Sequence, residues 1–292
     1  MPEIRTNKHW YRRAHKFSVC DKSVQISSCA FFGCGLYSLM MKSIVVTSGK
    51  GGVGKTTVTA CLGRALAELG CRVALVDADF GLNNLDVVLE LENKVVYDIA
   101  DVIDNRCRVR QALVQADTRN LFLLPSAHGY LGEKVTAQNI RLVLKGLAVT
   151  FDYVLVDCPA GIEAGFNRAV GACDGAIVVT TPHVSALRDA NKVVALLSSY
   201  KMDPTLVINR VRGDLLADGK IPSKAEIEQL LRTRVIGVIP ETDGVYGFSS
   251  IPRKPFDMLA KKIHTGAGEP YDPAASYRGF FGGLRRRLRR SE

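Results

Sequence analysis

The sequence predicts an α/β protein built on a mostly parallel sheet covered by helices on both faces. Three observations carry this. Short, continuous apolar runs rich in Val, Ile and Leu recur along the chain, and stretches with helical spacing lie between them. The first such run passes through a glycine-rich loop straight into a helical pattern, the strand–turn–helix unit of parallel sheets.

Taken in order, SIVVTS (43–48) reads as the first strand, TVTACLGRALAEL (57–69) as a helix and RVALVD (72–77) as a second buried strand. LFLLPS (121–126), DYVLVD (152–157), AIVVTT (176–181), TLVIN (205–209) and RVIGVI (234–239) repeat the strand signature. Helices are expected near 134–149, 163–172, 184–200 and 223–232. Strands apolar throughout, not alternating, belong to a sheet buried on both faces. No repeat or long linker interrupts 42–265. Residues 41–268 are therefore read as one domain, with a leader at 1–40 and a linker plus amphipathic helix at 269–292.

With 292 residues, 47% hydrophobic and 23% charged, the composition excludes disordered, collagen-like and coiled-coil classes. A single well-buried core is attainable at this length. The net charge of +10 is uneven: residues 1–40 carry +4 and 278–292 carry +5, leaving +1 for 41–277. A nearly neutral body argues against a broad nucleic-acid surface and assigns anionic partners to the tails. The eight cysteines include no C-x-x-C pair, so free thiols in a reduced, cytoplasmic compartment are expected. In the leader, the nineteen uncharged residues of 23–41 reach the length of a membrane span. Gln25, four Ser and two Gly keep that stretch only modestly hydrophobic. The leader is read first as disordered or as an over-long start, then as a plastid-type transit peptide, and last as a membrane segment.

Gly49-Lys50-Gly51-Gly52-Val53-Gly54-Lys55-Thr56 fits G-x-x-x-x-G-K-[ST] between a strand and a helix. The glycines let consecutive N–H groups face one concavity, and the helix that follows adds its positive end, making a site for a di- or triphosphate. Lys55 supplies a charge to the β/γ phosphates. The Thr56 hydroxyl is placed for Mg2+, and Thr57 for the α-phosphate. Asp77 and Asp79 end one buried strand and Asp157 ends another, at the edge where parallel sheets bind ligands. Asp157 fits a Walker B carboxylate that holds Mg2+ through water. A helix cap is the other use open to Asp77 and Asp79. Cys158 is read as a packing residue.

The string KGGVGKTT (50–57), with its second lysine at Lys50, resembles the deviant Walker A (MinD/ParA) family of cell-division-site ATPases and chromosome-partition proteins. The resemblance covers about 41–292 and implies a P-loop NTPase fold of the SIMIBI type, with ATP and Mg2+ as ligands. It implies that Lys50 reaches a partner's nucleotide in an ATP-sandwich homodimer. It also implies that Asp79 orients or deprotonates the attacking water, that Asp77 lies near the metal, and that Asn84 and Asp86 belong to switch I. The Pro-Ala-Gly-Ile-Glu run at 159–163 looks like the division-site form of switch II. Asn209 and Pro240 resemble positions flanking adenine, although a plain strand-ending turn would also use Asn and Pro.

On a helix, Tyr277, Phe280, Phe281, Leu284 and Leu288 share one arc of about 100°, while Arg285, Arg286, Arg287 and their neighbours fill the remainder. That is the pattern of an interfacial membrane helix. By resemblance, the membrane-bound homodimer recruits a division inhibitor, an activator of hydrolysis releases it, and the output is placement of the septum. The rival readings on the same fold are a chromosome-partition or flagellar-number ATPase and an iron–sulfur carrier ATPase.

Overall fold

The computed structural model describes residues 43–80, 84–127, 135–242 and 248–279. Eight strands form one sheet: β1 Ser43–Thr47, β2 Val73–Asp77, β3 Val114–Gln115, β4 Leu121–Leu124, β5 Tyr153–Asp157, β6 Gly175–Thr180, β7 Thr205–Val211 and β8 Val235–Pro240. Their order is β3-β4-β2-β5-β1-β6-β7-β8, and all pairings are parallel except β3 with β4. The seven strands expected from sequence are present, and β3 is an addition of two residues.

The helices are α1 Lys55–Glu68, α2 Leu85–Val88, α3 Ile99–Ile103, α4 Val109–Ala112, α5 Ala137–Ala148, α6 Ala164–Ala172, α7 Val184–Ser199, α8 Gly213–Ala217, α9 Lys224–Leu231 and α10 Arg253–Thr265. Alternate residues of each strand feed two separate cores. Ile44, Val46, Val73, Leu75 and Leu155 pack with Val58, Leu62 and Leu66 of α1 and Phe256 and Leu259 of α10. Val45, Ala74, Val76, Val154 and Val156 pack with residues of α5, α6, α7 and α9 on the other face. Both faces being covered is why the strands read as unbroken apolar runs.

The chain leaves β1 for β2 and β4 on one side and later fills β6, β7 and β8 on the other. β1 therefore ends where the direction of winding reverses, the place where open α/β sheets bind ligands.

The expected linker differs from what is found. Pro273 and Ala274 are buried, and a Cβ on Gly213 would collide with the Pro273 carbonyl and come within 2.8 Å of Tyr277 Cε2. A residue with no side chain at the head of α8 makes the seat for this segment. Tyr277 sits in the short turn Ala275–Tyr277. Arg278 is extended after it and Gly279 has φ 77°. Tyr277 is thus docked on the body, and its turn does not continue as helix through Arg278. Phe280, Phe281, Leu284, Arg285, Arg286, Arg287 and Leu288 lie outside the described residues.

Candidate nucleotide-binding site

Residues 49–54 join β1 to α1. Gly52 and Gly54 have φ of 77° and 90°, left-handed geometry that side chains resist. A Cβ on Gly49 would strike the Asp189 main chain in α7, and one on Gly54 would strike the Asn209 amide. A Cβ on Gly51 or Gly52 would meet nothing within 4 Å among the described residues, so the loop is braced from outside and open at its tip. No side chain caps α1 and no acid occupies its first turn, leaving its positive end to an anion.

Behind the loop, Lys55 is only 8% exposed and Asp157 is fully buried. Lys55 Nζ stands 3.8 Å from Asp157 Oδ1. The Thr59 hydroxyl, one turn along α1, donates to the same oxygen at 3.2 Å. Burial raises the Asp157 pKa against the pull of Lys55, Thr56 and Thr59. Among the described residues, its Oδ2 is buried without a hydrogen-bond partner. An orphaned carboxylate oxygen beside an open phosphate loop suits a hydrated cation, because such an atom is costly to leave unmet.

Asp77 lies opposite Asp157 across the β2–β5 pairing. Its Oδ1 accepts from the Asp79 N–H at 2.9 Å, and its Oδ2 from the Asn84 and Leu85 N–H groups at 3.1 Å each. The capping use left open for Asp77 is therefore realised, and a metal contact would have to share these oxygens. Burial, then the Asp157 charge, pushes its pKa up to about 7 against the Asp79 and Leu85 N–H groups. Asp79 is half-buried and Asn84 exposed; both are held at this edge by their own main-chain bonds to Asp77.

Lys50 is exposed and its Nζ is 3.2 Å from Ser185 Oγ in α7. Cys158 is fully buried and its thiol is pushed up to about 12 by burial, so it packs and is no nucleophile. The Gly161 N–H of the 159–163 segment donates to the Ser48 carbonyl at 3.2 Å, tying that segment to the root of the loop.

A cavity of about 370 Å³ opens beside the loop, lined by Gly54, Thr57, Asn209, Pro240 and Phe256 among others. Asn209 is 8% exposed and its Nδ2 donates to the Val53 carbonyl at 2.8 Å. The structure thus brings Thr57, Asn209 and Pro240 to one pocket and Lys55, Thr56, Asp77, Asp79 and Asp157 to another side of the same loop. Sequence reading missed Thr59 and Ser185. Thr59 had a signal, since position i+4 from Lys55 repeats its helix face; Ser185, far along the chain, had none.

The model of the CobQ/CobB/MinD/ParA nucleotide binding domain matches residues 44–249. The septum site-determining protein MinD of Bacillus subtilis (strain 168) is 47% identical over 210 residues, which are 70% of this chain and 78% of that protein. The chain belongs to the MinD family of septum site-determining proteins. Solved structures agree with this membership. The MinC:MinD complex of Aquifex aeolicus matches with a TM-score of 0.71 at 37% identity, covering 79% of this chain and 98% of that one. MinD of Pyrococcus horikoshii OT3, complexed with Mg-ADP, matches with a TM-score of 0.68 at 31% identity, covering 78% and 98%. These relatives do not favour the partition, flagellar-number or iron–sulfur readings.

Proposed function

We propose that this chain is an ATP-hydrolysing switch that helps place the division septum by attaching to membrane as an ATP-bound homodimer. The observation that carries the reading is a buried Lys55–Asp157 pair behind an open glycine loop, with a second lysine, Lys50, standing outside that pair. Gly51 to Thr57 bind the phosphates through main-chain N–H groups and hydroxyls, and Lys55 neutralises the β/γ oxygens. Thr56 and Asp157 hold Mg2+, which supplies charge neutralisation to the transferring phosphoryl group. Asp79 orients the water and accepts its proton. Asp77 keeps switch I closed on Asp79 and Asn84 through its three main-chain bonds. Lys50, with Lys55 already serving the phosphates of its own loop, is available to a second copy.

The Mg-ADP bound by the Pyrococcus relative supports ATP and Mg2+ as ligands. The MinC in the Aquifex complex supports a MinC-like division inhibitor as partner; a MinE-like activator of hydrolysis completes the cycle. Among the described residues no helix is long and apolar enough to cross a membrane. We place the protein in the cytoplasm, peripheral on the inner face of the cell membrane, or in the plastid stroma if 1–40 is a transit peptide. The body is 41–268, and attachment belongs to the arc at 280–288.

Size exclusion and co-sedimentation with anionic liposomes, with a non-hydrolysable ATP analogue or ADP and a DNA control, test this. The analogue should give a dimer that pellets with vesicles, ADP a soluble monomer, and DNA no binding. Lys50→Ala should stay monomeric with the analogue. A wild-type monomer at saturating analogue, or equal pelleting with ADP, would overturn the reading.

A further inference from the structure

The Asn209 amide is bonded to the phosphate loop. Its Nδ2 donates to the Val53 carbonyl at 2.8 Å, in a site where Asn209 is 8% exposed. Val53 is itself buried, at 5%. The carbonyl and the next N–H of a trans peptide point in opposite directions because the unit is planar. Pinning the Val53 carbonyl toward β7 therefore fixes the plane of the Val53–Gly54 peptide, and with it the direction of the Gly54 N–H, away from β7. The same amide lies so close to Gly54 that any Cβ there would collide with it. Gly54 also carries φ 90° and ψ 28° as the residue that opens α1. One side chain on β7 thus fixes the peptide at which loop becomes helix.

The strand is shaped to deliver it. Pairing between β7 and β8 slips between Ile208 and Val211, and Arg210 takes φ 55°. This is a bulge, which re-aims the side chains beside it. Asn209 and Arg210 both line the cavity that also holds Thr57 and Pro240. The cavity wall and the phosphate loop consequently share a residue.

We infer that Asn209 is a positioning residue for the phosphate cradle, and that it acts on phosphates whether or not a base is present. This rests on the nucleotide reading but adds to it, because a residue that only reads a base has no effect on a ligand without one. With one N–H spent on Val53, the Asn209 oxygen and second N–H remain for the base edge. The base pocket and the phosphate loop are then coupled through a single amide.

The test uses inorganic tripolyphosphate with Mg2+ as a baseless ligand beside ATP, measured by calorimetry on the full chain. Thermal unfolding of each variant is followed in parallel. Asn209→Ala should bind tripolyphosphate about tenfold more weakly than wild type (about 1.4 kcal/mol) while its unfolding temperature stays within a few degrees. Asn209→Ser, whose hydroxyl is too short to reach Val53, should behave alike and serves if the alanine variant does not fold. If ATP binding falls while tripolyphosphate binding is unchanged, Asn209 is only a base reader and the inference fails. It fails equally if neither ligand is affected, or if tripolyphosphate affinity falls only in step with the folded fraction. If wild type binds neither ligand, the nucleotide reading itself is what has failed.

Discussion

One carboxylate, Asp77, holds three main-chain N–H groups and faces a second carboxylate across the β2–β5 pairing. The N–H groups favour its charged form, whereas burial and the Asp157 charge oppose it and prevail, raising the pKa from 3.8 to about 7. An acid whose pKa is raised by folding binds its proton more tightly in the native state than in the unfolded chain. Its contribution to stability is therefore whole at low pH and is lost as pH climbs from 3.8 to about 7. At roughly 1.4 kcal/mol per unit, the loss is bounded at about 4 kcal/mol. Asp77→Asn removes this titration. Without Mg2+ and nucleotide, urea unfolding of the variant should show a flatter dependence of stability on pH through that range. Its stability should lie below wild type by about 1–3 kcal/mol at low pH, because one oxygen that accepted N–H groups becomes a donor, and the gap should close or reverse as pH climbs to about 7. Equal slopes in the two proteins would contradict the raised value. What this site does at the residue scale is thus partly electrostatic restraint: two carboxylates on neighbouring strands share one edge of the sheet, and each needs the surrounding donors and Lys55.

At the scale of elements, the loop at 49–54 is held between α7 and β7, and its glycines differ accordingly. Gly49 abuts the Asp189 main chain, while Gly51 faces open space. Gly49→Ala should force the loop off α7, lowering stability by about 1–3 kcal/mol and weakening ATP binding more than tenfold. Gly51→Ala should leave stability within about 0.5 kcal/mol and weaken only ATP binding. Urea unfolding and calorimetry of the two variants check this, and equal stability losses would refute the bracing. The same contrast shows what sequence could reveal. The loop and the seven long strands were legible because a continuous apolar run ending in Gly or Asp fits little besides a parallel strand buried on both faces. Helices α2, α3, α4 and α8 span only four or five residues each, too few for a 3.6-residue period to register. Helix α10 was missed because Pro255 in its first turn and its many charges mask an apolar stripe at Phe256, Leu259 and Ala260. The partners that decide the site lie far apart in sequence: Asn209 meets Val53 across 156 positions, and Lys50 meets Ser185 across 135. Motif spacing placed Lys50 and Val53 at the site and resemblance placed Asn209, but Ser185 left no signal, and only the fold reveals what each one grips.

Taken as a whole molecule, the protein has a neutral body and a C-terminal stretch, 278–292, carrying +5. With Tyr277 docked against Gly213, the apolar arc that the proposed attachment leaves for membrane is Phe280, Phe281, Leu284 and Leu288. Four such side chains offer about 1.5–3 kcal/mol each when fully buried, and each Arg near anionic lipid about 1 kcal/mol. Ordering costs about 1–2 kcal/mol per residue, and Gly282 and Gly283 add roughly 1 kcal/mol each as helix residues. The opposing contributions are of similar size, so a single tail should bind weakly. In the dimer we propose, two tails would gain about 10²–10⁴ from effective concentration, enough to convert nucleotide state into membrane state without any new contact. Phe281→Glu removes one anchor and places a charge at the interface. It should leave ATP binding within about twofold, yet reduce pelleting with anionic liposomes at least tenfold in the presence of a non-hydrolysable analogue, as should removal of 280–292. Sedimentation set against calorimetric ATP affinity reads both quantities. Because the two tails act as a pair, a mixed dimer carrying one substitution should already lose most of the pelleting that a dimer carrying both loses. A mixed dimer that lost only about twofold would mean that each tail binds alone, and ATP would then have no lever on the membrane.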